Sequence, residues 1–99
     1  MARNRILRRT APDRIKQKSP NGWDFSDGFG CVSIARKDGY ELYLRDSGLN
    51  LTIRDPNTME PVNIIEVNID YYSPHYVGAA IYVMEHAEVL THEAQNQNL

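Results

Sequence analysis

The chain has one cysteine, Cys31, among 99 residues. No internal disulfide can staple it, and a lone cysteine suits a reducing compartment. Cys31 and three scattered histidines also lack the ligand spacing of a closed structural zinc site. Long apolar runs are missing too. The longest, Tyr76 to Met84, is interrupted by Gly78 and falls short of the about 20 residues that span a bilayer as a helix. The basic start is not followed by an apolar stretch of the secretory type. The expectation is therefore a chain that is not secreted and has no membrane span, working in the cytoplasm or in a virion.

Catalytic signatures are equally scarce. Gly28-x-Gly30-x-x-Ser33 lacks the third glycine of a dinucleotide fingerprint. There is no phosphate-binding P-loop and no serine elbow. Neither the zincin nor the di-iron helix motif occurs. Glu88 and His92 stand four apart with Glu85 one turn before Glu88, but such groupings are common on solvated helical surfaces. Cys31 has no local base to activate it. No cofactor, no metal and no enzymatic role are expected.

What the sequence does have is charge, sharply divided. Residues 1 to 18 carry Arg3, Arg5, Arg8, Arg9, Arg14, Lys16 and Lys18 against Asp13 alone, a net of +6; residues 19 to 99 carry four cations against twelve acids, a net of −8. Such asymmetry marks a basic arm that meets a polyanion or an acidic partner. Its sizeable apolar residues are Ile6, Leu7 and Ile15, with Pro12 inside it and Pro20 after it. Alone it cannot bury enough to fold. The expectation is an extended arm over 1–19, an α+β body over 20–94 and a polar tail over 95–99. A body of that size buries roughly 60% of its unfolded surface, so association with a partner or with copies of itself is the remaining route to extra stability.

Along the body, Asn21-Gly22 and Asp27-Gly28 read as turns, with Trp23, Phe25 and Phe29 capping one end of the core. A hairpin follows. A three-residue loop, Lys37-Asp38-Gly39, sets Ile34 opposite Leu42 and Val32 opposite Leu44, collecting the apolar residues on one face. Leu49, Leu51 and Ile53 form the next strand, matched to Leu42 and Leu44 through an even loop ending in Gly48. Val62 to Asp70 is a fourth strand with Ile65, Val67, Ile69 and Tyr71 on one face. Ser73-Pro74 resembles an N-cap and first helical residue. Val77, Ala80, Ile81, Met84 and Ala87 then recur at helical spacing, predicting one helix over about 74–94. A buried strand over 76–84 is the alternative. The fold class expected is α+β: an antiparallel meander of about four strands, packed by one C-terminal helix and preceded by the extended basic arm.

Two surfaces are candidates for binding. The arm's seven cations suit phosphates or carboxylates without reading sequence. The sheet face opposite the apolar one carries Tyr43, Arg45 and Arg54, where a tyrosine between arginines could stack a base. An ordinary solvated face is the plainer reading of the latter. The expected function is a non-enzymatic accessory or structural subunit of a larger assembly (virion, ribonucleoprotein or multi-subunit complex), anchored by the arm. One alternative is a nucleic-acid-binding module using the arm and sheet face. The other is a small inhibitor that occludes a partner's site with its acidic body.

Overall fold

The computed structural model describes residues 11–27 and 33–97. Among them are three helices and five strands: α1 (Ala11–Lys18), β1 (Asp24–Asp27), β2 (Ser33–Lys37), β3 (Tyr40–Arg45), β4 (Gly48–Arg54), β5 (Pro61–Asn68), α2 (Tyr76–Glu85) and α3 (Ala87–Gln97). The strands form one antiparallel meander in the order β1-β2-β3-β4-β5. The α+β class, the meander and the C-terminal helical layer are as the sequence implied. Several details differ, each for a physical reason.

The first correction is the arm. Residues 11–18 are helical rather than extended. Pro12 falls in the first turn, where a missing amide hydrogen removes no helical bond. Asp13 lies in the first turn and Lys16 and Lys18 in the last, which suits the helix dipole. Eight residues make a marginal helix alone, but Ala11 and Ile15, four apart, turn the same face inward. Ile15 is 0% exposed and joins the core cluster with Trp23, Tyr76 and Val77. The helix packs on α2, and the Ala11 amide donates to the Tyr71 hydroxyl oxygen. Arg3, Arg5, Arg8 and Arg9 lie outside the described residues.

The second correction is the first hairpin. Its loop is the two residues Asp38-Gly39, so Ala35 lies opposite Leu42 and Ile34 opposite Tyr43. Both loop residues have positive φ, 49° at Asp38 and 89° at Gly39. That is the type I′ geometry, whose twist matches the flanking strands better than a longer loop does. The core face therefore carries the row Phe25–Ala35–Leu42–Leu51–Ile65 across all five strands, with Leu44–Leu49–Val67 beside it. Ala35, Leu42 and Leu51 are 0% exposed. Val32 lies outside the described residues.

The fifth strand is β1, in the segment read as turns. Its Asp24-Phe25-Ser26-Asp27 composition is a poor strand former, so pairing with β2, not propensity, makes it a strand. The β3–β4 loop is even, as required, but consists of Asp46-Ser47, with Gly48 opening β4. β5 pairs with β4 through a register shift at Leu51/Thr52 that leaves Ile64 as the extra residue.

The third correction is the single C-terminal helix. It is two, meeting at His86 (φ −115°, ψ 17°). Residues 76–84 are helix, which disposes of the buried-strand alternative, and α3 continues to Gln97, past the expected end. The Tyr82 carbonyl accepts both the His86 amide at 3.0 Å and its Nδ1–H at 2.8 Å, while the two rings stack at 4.2 Å. Ser73 does not cap the helix directly; its hydroxyl accepts the His75 amide in the turn before it. Tyr76, Val77, Ala80, Val83, Met84 and Ala87 face the sheet and α1. The described helices thus lie on the side of Leu42 and Leu51, and the opposite face is largely polar, although Ile34 on it is buried.

Candidate functional site

The sheet face away from the helices brings Tyr43, Arg45 and Arg54 together, with Arg36 beside them because the two-residue hairpin loop sets Arg36 opposite Glu41. Glu41 organises this face. Its side chain is 7% exposed, against 49% for Arg36 and 40% for Arg54. Arg36 Nε donates to Glu41 Oε2 at 2.8 Å, and an Arg54 Nη stands 3.3 Å from Oε1. The Tyr43 hydroxyl donates to Oε1 at 3.3 Å, and Arg54 also donates to the Met59 carbonyl at 2.8 Å. Arg45 lies over the Tyr43 ring, 5.4 Å from its centroid. Burial pushes the Glu41 carboxyl up, but the Arg36 hydrogen bond, the charges of Arg54 and Arg36 and the Tyr43 hydroxyl outweigh it and hold it below the usual 4.5.

These contacts determine what the face can do. Arg54 and Tyr43 are committed to Glu41, and the Tyr43 ring is already capped by a guanidinium. Asn50 extends the network by donating to Asn63 at 3.2 Å and Glu66 at 3.5 Å. A cavity of about 400 Å³ opens at the hairpin end, where Arg36, Lys37 and Arg54 are matched by Asp24, Asp38 and Glu41. Equal numbers of each sign leave little net field for an anion. The face reads as a cross-strand polar network that holds the sheet together.

One test follows. A depressed carboxylate stabilises the fold above its unfolded pKa, and that stabilisation disappears as pH falls through the lower folded value. Urea unfolding of Glu41→Gln is expected to show about 1 kcal/mol lost at pH 7, a modest figure because both arginines are half exposed to water. Between pH 5 and about pH 3 the wild type should lose stability faster than the variant. Parallel pH profiles for the two proteins would contradict the assignment.

The other candidate surface is α1. Arg14, Lys16 and Lys18 are all exposed on it, and none forms an ion pair with another described residue. Its attachment is apolar, through Ala11 and Ile15. The basic segment is therefore rooted on its own body without its described cations being neutralised there. Near that root stands Tyr72, 88% exposed. The sequence reading passed over it, because two adjacent tyrosines at the end of a strand give no sign of which one faces water.

The remaining candidates are dispersed. Glu85, Glu88 and His92 are exposed on α2 and α3, and Cys31 lies outside the described residues. Among the described residues no group of three or more His, Cys, Asp or Glu is placed to hold a metal ion, and no helix is long and apolar enough to cross a membrane. No family model, no curated protein and no solved structure matches this chain.

Proposed function

We propose that this chain is a non-enzymatic accessory subunit of a larger assembly, held on an anionic surface of that assembly by its basic segment, residues 1–18. One observation carries this reading: α1 buries Ile15 in the body's core while leaving Arg14, Lys16 and Lys18 exposed. A segment that merely solubilised the chain would have no reason to be clamped to it. A segment attracted to the acidic body would be expected to show ion pairs with it. The three described cations, Arg14, Lys16 and Lys18, show none, and the apolar clamp gives them a fixed base from which to meet an external negative surface, by contacts that position without reading sequence.

The test is gradient sedimentation of the full tagged chain from its native cells. The wild type is expected in a fast-sedimenting fraction. It should move to the top of the gradient at about 0.5 M salt, where such contacts are screened. It should also move there when Arg3, Arg5, Arg8, Arg9, Arg14, Lys16 and Lys18 are all replaced by Ser. A wild-type chain that runs as a free 11.4 kDa protein, or a neutralised variant that still co-sediments, would overturn the reading.

A further inference from the structure

The geometry points to a second copy of this chain as the partner of the open sheet edge, β5 pairing antiparallel with β5 of the copy about a two-fold axis centred on Val67. Such a dimer goes beyond the anchoring role and needs no part of the basic segment.

A sheet edge presents unpaired backbone groups, and folds commonly blunt it with short strands or charge. β1 is blunted in both ways: it has four residues, Asp24-Phe25-Ser26-Asp27, with an acid at each end. β5 has eight, and among the described residues it pairs with β4 alone. Pro61 and the register shift at Leu51/Thr52 disturb only its first half. The second half is regular. Ile69 and Tyr71 prolong its ladder, their amides donating to the Ser47 and Asp46 carbonyls at 3.1 and 2.9 Å. Alternation then turns the amides of Ile65 and Val67 toward β4 as well, and those of Glu66 and Asn68 to the open side. The core is also incomplete here. Leu49 and Leu51 on β4 are 1% and 0% exposed, yet Val67 and Ile65, which pair with them, are only partly buried, as is Ile69.

The run Ile65-Glu66-Val67-Asn68-Ile69 is complementary to its own reverse. Centred on Val67, antiparallel pairing sets Val67 against Val67 of the second copy, and Ile65 against Ile69 of the second copy. These side chains lie on the helix side, so the pairs extend the apolar row across the axis. Glu66 falls opposite Asn68 of the second copy at both hydrogen-bonded positions, where the carboxylate can accept from the side-chain amide on the polar face. The neighbouring registers fail. Centring on Glu66 opposes two like charges, and centring on Asn68 sets Glu66 against Asp70 of the second copy. Two steps either way, the pairing runs into the register shift or into the turn at Tyr71-Tyr72. A two-fold axis perpendicular to the sheet leaves both helical layers on one side of a continuous sheet. A foreign strand would have to match the same alternation and also bring cover for its own apolar face. A second copy brings both, because α3 packs on β5.

Sedimentation equilibrium of the full chain tests the pairing. At about 100 µM, enough to fill an interface of micromolar Kd, the wild type is expected at twice 11.4 kDa. Asn68→Asp sets a carboxylate opposite Glu66 at both symmetric positions and should weaken the dimer about tenfold. Adding Glu66→Gln should restore it. Both side chains are exposed, so circular dichroism of these variants should match the wild type. With the native thiol removed by Cys31→Ser, Val67→Cys should form a covalent dimer under mild oxidation. A non-hydrogen-bonded pair brings Cα atoms to about 4.5 Å, within the span of a disulfide. Asn63→Cys, far from the axis, should not cross-link. A wild type that stays at 11.4 kDa overturns the dimer. A dimer that Asn68→Asp leaves intact, or that Val67→Cys fails to cross-link, is held by another surface and overturns the β5 pairing.

Discussion

Gly48→Ala is expected to lower the melting temperature by at least about 15 °C, the largest effect of any single methyl group added to this fold. A Cβ at Gly48 would stand 2.0 Å from the Val67 carbonyl oxygen, where φ is +155°. The obstacle is backbone, so no side chain can swing aside. β4 and β5 would have to part at the row that joins Gly48 to Asn68. The same glycine's carbonyl lies 3.4 Å from the Tyr76 hydroxyl, so the shift would also disturb the anchor of α2. Strain of this kind together with disrupted ladder bonds amounts to about 4 kcal/mol. In a domain under 100 residues each kcal/mol moves the midpoint by about 4–8 °C. A melt within a few degrees of wild type would show that β5 does not approach β4 so closely at this point.

Ile15→Ala should detach α1 while leaving the sheet largely intact. Ile15 is 0% exposed and carries most of the apolar area by which α1 is held. Truncating a buried isoleucine removes about 2–5 kcal/mol, and here the loss falls mainly on local docking, because eight residues do not sustain a helix unaided. Limited trypsin digestion reads this directly: Arg14, Lys16 and Lys18 sit on the same helix. Cleavage at these sites should accelerate about a hundredfold, the equivalent of about 3 kcal/mol of local opening. Global unfolding in urea should shift less than the digestion rate implies. Unchanged cleavage would mean that α1 is held by something other than Ile15.

Much of the body was legible in the sequence because strand parity is unforgiving. Leu42, Leu44, Leu49 and Leu51 can share a face only through an even connection, and they do. The first hairpin misled because Ile34 looks like core and Ala35 does not. The Asp38-Gly39 turn decides the register, placing Ala35 opposite Leu42 and Ile34 on the far face at 4% exposure. That one-residue slip also concealed the Arg36–Glu41 pair, and with it the reason the polar face is self-satisfied. α1 was hidden by its charge, since Ala11 and Ile15 are only two inward residues among three cations. The break at His86 left no trace because buried positions at helical spacing, from Val77 through Met84 and Ala87 to Thr91, run straight through it with neither proline nor glycine to mark it.

Each strand of the meander pairs only with its neighbours in the chain, which has a kinetic consequence. Low contact order favours rapid folding, so the hairpins can close in succession as synthesis proceeds. The contact between α1 and α2 is different, for it joins segments about sixty residues apart and must wait until α2 has been made. Arg14, Lys16 and Lys18 would therefore be made well before Ile15 finds its seat, leaving an interval in which α1 has no α2 to pack on.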